Sequence, residues 1–103
     1  MERFVVYRKI DPKNSDSEYE DIRCGRTYYY FNTWEGMNYN CYTSINSCKI
    51  FNDREEAIKT YKALKKHPIG KKYDWKINKL PKNLIITVGN QLDINEKNNL
   101  RGI

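Results

Sequence analysis

Three cysteines and one histidine are the residues of this 103-residue chain best suited to nucleophilic or metal chemistry. A cysteine nucleophile needs a histidine beside it in the fold. His67 adjoins Pro68 at a predicted helix end, where a histidine usually interacts with the helix dipole. The four residues have the ligand count of a zinc site but no familiar zinc spacing. An odd number of cysteines without C-x-x-C indicates reduced, structural thiols at Cys24, Cys41 and Cys48.

Phosphate- and calcium-binding motifs are also missing from the sequence. The five glycines are scattered, so the chain has no Gly-rich loop of the kind that holds a phosphate. An EF-hand loop needs a glycine at its sixth position, where the segment D-P-K-N-S-D has Asp16. We therefore predict a non-enzymatic protein with no metal and no cofactor. A hydrolase or transferase using Cys41 or Cys48 with His67 stays open as a residual alternative.

The net charge of +6 is divided unevenly along the chain. Residues 11–21 contain five acidic residues and one lysine, whereas residues 59–82 contain nine lysines and one aspartate. Lysine-rich solubility would explain this pattern, and so would an electrostatic dipole that steers an acidic partner to one side. The acidic candidates for partner binding are Asp16, Glu18, Glu20 and Asp21, and the basic candidates are Lys59, Lys62, Lys66, Lys72 and Lys76.

One helix is predicted over residues 52–67. Asn52 is a favourable N-cap residue, and Glu55 stands at the spacing of a capping box. Ile58, Tyr61 and Leu64 recur at helical spacing and are predicted to enter the core, with lysines on the opposite side. By contrast, residues 13–21 are predicted to form an acidic loop, or at most one turn of helix capped by Ser15.

Strands are predicted at residues 3–9, 26–34, 39–44, 72–79 and 84–88, because these segments are rich in β-branched and aromatic residues. The first has apolar side chains on both faces, which favours a central position. We expect a single α+β domain over residues 1–90, an antiparallel sheet of about five strands with the helix on one face. Residues 91–103 are expected to form a polar tail or a short helix.

Aromatic residues make up 14% of the chain, and half of them lie in residues 28–42. Because one helix covers only one face of a sheet, strand alternation is expected to leave some rings on the other face. They either fill the core of a thin domain or form an exposed surface for a protein or for stacked bases. The aromatic candidates are Tyr28, Tyr30 and Trp34.

The sequence resembles, in style, small accessory proteins of phages and mobile elements in AT-rich bacteria. The likeness lies in the short first strand F-V-V-Y-R-K, the tyrosine-rich strand, the helix segment C-K-I-F-N-D-R-E-E-A-I-K-T-Y-K-A-L-K-K and the closing strand Y-D-W-K-I. Such proteins include anti-CRISPR inhibitors, which bind a host nuclease complex. The resemblance implies inhibitory binding in the host cytoplasm and no particular site residues.

Two functions are therefore expected from the sequence. The first is a phage or mobile-element inhibitor that docks on a host nucleic-acid-handling complex, with the acids of residues 11–21 imitating phosphates. The alternative is direct binding of single-stranded RNA or DNA through residues 59–82 and the neighbouring aromatics. Lysines outnumber arginines and the layout lacks RNA-recognition-motif signatures, which weighs against the alternative. No membrane partner is expected, and a homodimer through the aromatic face stays open.

Overall fold

An antiparallel sheet forms the centre of the protein in a computed structural model, which describes residues 2–86. Its strands are β1 (Phe4–Lys9), β2 (Tyr28–Glu35), β3 (Asn38–Tyr42) and β4 (Lys76–Lys79), in the spatial order β3-β2-β1-β4. Two α-helices, α1 (Asp16–Arg23) and α2 (Arg54–Lys66), and two short 3-10 helices, Ile45–Ser47 and Gly70–Lys72, complete the architecture of the described residues. The predicted α+β class is confirmed, with four strands instead of about five within residues 2–86.

The first strand is central, as its two apolar faces predict. β1 pairs with β2 on one side and with β4 on the other, both antiparallel. Phe4 and Val6 point to the face that carries α2, and Val5 is buried on the opposite face. Because successive side chains of a strand alternate between faces, β1 contributes to two separate apolar clusters.

The helix α2 covers one face of the sheet. Its N-cap is Asp53, whose carboxylate accepts the backbone N–H of Glu55 at 3.0 Å, so the predicted cap at Asn52 is displaced by one residue. Its buried residues are Ala57, Thr60 and Leu64. The predicted core residues Ile58 and Tyr61 are only half-buried, because they lie at the edges of the buried stripe. No helix within residues 2–86 is long and apolar enough to cross a membrane.

The acidic segment forms a second helix, so the prediction of a loop was wrong. Ser15 is its N-cap, and the Ser15 hydroxyl accepts the backbone N–H of Glu18 at 3.2 Å. The alternative prediction, one helical turn capped by Ser15, therefore had the right cap but too short a helix. The helix continues to Arg23 because the side chain of Glu18 is anchored in the interior by Arg8. Arg8 and Glu18 belong to different elements, so neither helical nor strand spacing in the sequence indicates that their side chains meet.

The predicted strand at 84–88 is not found at residues 84–86, and residues 87 and 88 lie outside the described residues. The guanidinium of Arg3 donates to the carbonyl oxygens of Pro81 at 3.0 Å and Leu84 at 2.7 Å. These carbonyl groups are therefore held by a side chain instead of a neighbouring strand. The expected tail or helix at 91–103 also lies outside the described residues.

The second face of the sheet is sealed at one end by the chain itself. Val5, Cys48 and Leu80 form a buried cluster there, and the partly buried residues packed against it include Ile45, Ile50, Leu84 and Ile86. Apart from Val5 of β1, these residues come from the segments before α2 and after β4. The remaining end of this face carries the tyrosines of β1, β2 and β3.

Candidate binding surfaces

The tyrosine face is the uncovered end of the sheet surface opposite α2. The strand register places Tyr7 opposite Tyr30, Lys9 opposite Tyr28, Tyr30 opposite Tyr42 and Tyr7 opposite Lys76. We define the tyrosine face by these residues: Tyr7, Lys9, Tyr28, Tyr30, Tyr42 and Lys76. Tyr28 and Tyr42 are 37% and 38% exposed, so the face is open to a partner.

The rings of the tyrosine face support one another. Tyr7 meets Tyr28 edge-on at 5.4 Å between ring centroids and lies 6.1 Å from Tyr30. A cavity of about 130 Å³ opens between these rings and the sealed end, lined partly by Ile45 and Asn78. Burial raises the pKa of Tyr30, so its phenol is a neutral hydrogen-bonding group at physiological pH. The face therefore offers fixed rings with polar hydroxyl ends.

A β-bulge separates Trp34 from the tyrosines with which the sequence grouped it. The pairing of β2 with β3 shifts between Phe31 and Thr33, so one extra residue enters β2. Because side chains alternate along a strand, this insertion turns Trp34 to the same face as Phe31. Its ring lies 5.1 Å from that of Phe31 and 6.2 Å from that of His67. Trp34 thus belongs to the α2 side of the sheet.

The structure also divides the basic candidates. Lys59, Lys62 and Lys66 are exposed on α2, whose buried stripe packs on the face opposite the tyrosines. Lys72 and Lys76 instead line a cleft of about 540 Å³ together with Lys9, Asp11 and Asp74. Lys9 and Lys76 are therefore the basic residues of the tyrosine face, and Lys72 lines the cleft beside it. Lys9 lies at the end of β1, far in the sequence from the predicted basic segment 59–82, and was therefore missed.

Glu18 is not available to a partner. Its carboxylate accepts two hydrogen bonds from Arg8, at 3.1 and 3.3 Å, and further ones from the backbone of Asp11 and the side chain of Asn14. Burial by itself would raise the pKa of Glu18, but these hydrogen bonds and the charge of Arg8 lower it overall. Glu18 is therefore an ionised structural residue.

The other acidic candidates are dispersed along α1. Asp21 accepts from the guanidinium of Arg26 at 3.1 Å and from the hydroxyl of Tyr29. Glu20 forms an exposed ion pair with Arg23, and Asp16 is exposed at the start of the helix. Because Glu18 is buried and Asp21 is engaged, the four acids do not form one continuous anionic surface.

Arg8 is a buried cation that the sequence analysis overlooked. Its guanidinium carbon lies 3.6 Å from the ring centroid of Tyr73 and 4.7 Å from that of Tyr29, while its nitrogens bind Glu18. The sequence did indicate its burial, because Arg8 follows Phe4 and Val6 at every second position of β1 and so points to the same face of the sheet. A charge at such a position needs a buried partner, and Glu18 supplies it.

Cys41, Cys48 and His67 have structural contacts, whereas Cys24, also predicted to be a structural thiol, is exposed at the end of α1. Burial raises the pKa of Cys41 and of Cys48 to about 12, so both are protonated at neutral pH, unlike a nucleophilic thiolate. His67 accepts the backbone N–H groups of Ile69 and Gly70 with Nδ1, and its Nε2 donates to the Met37 carbonyl oxygen. In residues 2–86, no group of three or more histidine, cysteine, aspartate or glutamate side chains could hold a metal ion.

Comparison with known proteins identifies no matching family model, curated protein or solved structure. The candidate function therefore depends on the surfaces themselves.

Proposed function

We propose that this chain is a non-enzymatic binding protein that docks on a nucleic-acid-handling protein complex and blocks it. The observation that carries the proposal is the tyrosine face, where α2 and the chain's own loops leave Tyr28 and Tyr42 exposed. Tyrosine is a frequent hot-spot residue of protein interfaces, since it combines a large apolar ring with a polar end. An inhibitor encoded by a phage or mobile element and acting in the host cytoplasm is the form of this proposal that the sequence resemblance suggests.

The arrangement of the rings supports a protein partner. Tyr7, Tyr28 and Tyr30 contact one another before any partner arrives, so little side-chain entropy remains to be lost on docking. Of the two lysines of the face, Lys76 pairs with Asp74 at 3.3 Å, and the lysines of α2 lie on the other side of the sheet, so the charge of the face comes mainly from Lys9. A flat aromatic surface with a polar margin is typical of a protein interface.

The blocking mechanism we propose is steric occlusion. Phosphate imitation by the acids of α1 would require Glu18 to be presented to solvent, whereas it is held by Arg8. Docking of the tyrosine face on a complex would instead cover a site that the complex needs for its own substrate. Charge reversal at Glu18 is therefore expected to damage the fold before it affects any partner.

Replacing Tyr28 and Tyr42 together by alanine is expected to weaken partner binding at least tenfold, because hot-spot aromatics each contribute roughly 2 kcal/mol or more. The measurement is affinity capture from host lysate by the immobilised protein, with and without nuclease treatment. The protein retained after nuclease treatment should be a nucleic-acid-handling protein whose activity the wild-type chain inhibits.

Tyr19→Ala provides the matched control, since Tyr19 is an exposed tyrosine on α1 and lies outside the tyrosine face. It should capture the same partner as the wild type. Equal capture by the double variant would contradict docking through the tyrosine face. Size-exclusion chromatography of the chain alone tests whether this face makes a homodimer instead.

Direct binding of single-stranded RNA or DNA is the second candidate, and it is favoured by the cleft beside the tyrosine face. Lys9 and Lys76 belong to both surfaces, and Lys72 lines the cleft with them. Bases could stack on the tyrosines while the lysines neutralise phosphates.

If those three lysines each neutralise one phosphate, the affinity for a 12-nucleotide single strand should fall about 20-fold between 50 and 200 mM salt. Fluorescence anisotropy over that salt series measures this dependence. Lys9→Glu with Lys76→Glu should abolish binding, whereas Lys59→Glu with Lys62→Glu on α2 should leave most of it. Absence of binding at the lowest salt would refute the second candidate.

A further inference from the structure

A second exposed apolar patch lies at the tip of the β2–β3 hairpin. Trp34 is 40% exposed, Met37 is 92% exposed and Ile69, beyond the end of α2, is 47% exposed. We call these three residues the hairpin-tip patch. Since Trp34 points to the α2 side of the sheet, the patch is separate from the tyrosine face, and the proposed function leaves it unused.

His67 connects the members of the hairpin-tip patch. Its Nε2 donates to the carbonyl oxygen of Met37 at 2.8 Å, and its Nδ1 accepts the backbone N–H of Ile69 at 3.0 Å. Its ring also lies 6.2 Å from that of Trp34 and 5.0 Å from that of Tyr39. The end of α2 and the tip of the hairpin are therefore fixed to one another through one side chain.

The hairpin turn itself presents Met37 to solvent. Gly36 has a φ of +61°, a conformation that residues with a side chain rarely adopt, and it sets the tight turn that places Met37 outside the sheet. A single exposed methionine would be ordinary on a protein surface, but Met37 is exposed together with Trp34 and Ile69, and grouped exposed apolar residues are typical of an interaction site. Trp34 and Met37 are also residue types enriched at the centres of protein interfaces.

Two exposed lysines flank the residues of the hairpin-tip patch along the chain, Lys66 before His67 and Lys71 shortly after Ile69. Lys66 directly precedes His67 in the sequence, and the backbone N–H of Lys71 donates to the His67 carbonyl oxygen at 2.9 Å. Glu35 on the hairpin accepts a hydrogen bond from the side chain of Asn40 at 2.6 Å. An apolar centre flanked by these two lysines is complementary to an apolar surface bordered by carboxylates.

We propose that the hairpin-tip patch is a second docking site, and that its occupant is an acidic amphipathic segment of a partner protein. The apolar side of that segment would cover Trp34, Met37 and Ile69, and its carboxylates would meet Lys66 and Lys71. Charge argues against a second copy of this chain, since two such regions would repel each other. Nucleic acid would leave the methionine and isoleucine without an apolar partner.

The experiment uses two 16-residue helical peptides with the same apolar stripe of leucines, one with glutamates and the other with lysines at the polar positions. The full chain should bind the glutamate peptide at least tenfold more tightly than the lysine peptide in fluorescence anisotropy. Met37→Glu should weaken binding of the glutamate peptide at least tenfold. Since Met37 is almost fully exposed, this variant should keep the wild-type melting temperature.

Ile85→Glu is the matched control, because Ile85 is exposed and lies outside the patch. It should bind the glutamate peptide like the wild type. Wild-type binding of the glutamate peptide should strengthen as the salt concentration is lowered, because attraction between opposite charges is less screened. In the double variant Lys66→Glu with Lys71→Glu, binding of the same peptide should weaken as the salt concentration is lowered, because the charges then repel.

Several outcomes would overturn the proposal. Equal binding of the two peptides, or no binding of the glutamate peptide at 100 μM, would exclude an acidic occupant. Concentration-dependent dimerisation that Met37→Glu removes would assign the patch to a second copy of the chain. Binding of phosphatidylserine vesicles or of a 12-nucleotide single strand, lost in Met37→Glu while the peptide does not bind, would assign it to a membrane or to nucleic acid.

Discussion

Leu64→Asp is expected to unfold the protein at room temperature. Leu64 is fully buried in the cluster where α2 meets the sheet, with Phe4, Val6 and Trp75 among its members. The substitution removes about 1.5–3 kcal/mol of apolar burial and adds the larger cost of placing a carboxylate in the interior. Since small domains have a total stability of roughly 5–15 kcal/mol, these losses together are of the size needed to unfold it.

Circular dichroism and thermal melting measure this effect. The control is Lys59→Asp on the same helix, because Lys59 is exposed and faces away from the sheet. Its melting temperature should stay within a few degrees of the wild type. Similar melting curves for the two variants would show that α2 does not pack on the sheet through the stripe described here.

Glu18→Ala is expected to destabilise the protein by about 3–5 kcal/mol, because it leaves the buried charge of Arg8 without a partner. The side chains of the pair are only 10% and 6% exposed. Glu18 also accepts the backbone N–H of Asp11 at 3.0 Å, so its removal frees the loop between β1 and α1 as well. The effect should therefore exceed that of any surface ion pair in the described part of the chain.

Chemical denaturation of single and double variants tests the role of the pair. Arg8→Met combined with Glu18→Leu should be more stable than Glu18→Ala, since it replaces both charges by apolar groups. Glu20→Ala is the control, because Glu20 forms an exposed ion pair with Arg23 on the same helix and should change stability by at most about 1 kcal/mol. A loss for Glu18→Ala as small as that of Glu20→Ala would refute the structural role.

The same pair predicts a pH dependence. Because the pKa of Glu18 is lowered in the folded protein, its contribution is fully present above the unfolded value of 4.5 and is lost as the pH falls through the folded value. The difference in unfolding free energy between the wild type and Glu18→Gln should therefore shrink as the pH is lowered below about 4.5. A difference that stays constant from pH 7 to pH 3 would exclude this linkage.

The two proposed docking sites can be tested separately because they lie on different parts of the sheet. The tyrosine face is formed by β1, β2, β3 and β4 on the side opposite α2, whereas the hairpin-tip patch combines the hairpin with the end of α2. Variants at Tyr28 and Tyr42 should leave peptide binding at Met37 intact, and Met37→Glu should leave the tyrosine face intact. Loss of both interactions in either variant would indicate a damaged fold.

Local patterns in the sequence determined the class of the fold, most of its elements and part of the candidate surface. Apolar side chains on both faces of β1 predicted its central position in the sheet, and helical spacing of apolar residues predicted α2 with Leu64 in the core. Alternation placed Tyr28 and Tyr30 on the same face of β2, and the register confirms it. These features depend on the periods of strand and helix, which nearby residues set by themselves.

Only the tertiary structure decided which candidate residues lie together. The bulge after Phe31 moved Trp34 to the other face, because the period of a strand cannot reveal an inserted residue. The partnership of Arg8 with Glu18 converted a predicted acidic loop into a helix and removed Glu18 from the surface. Such contacts join separate elements, and their energy comes from burial and geometry that no short stretch of sequence specifies.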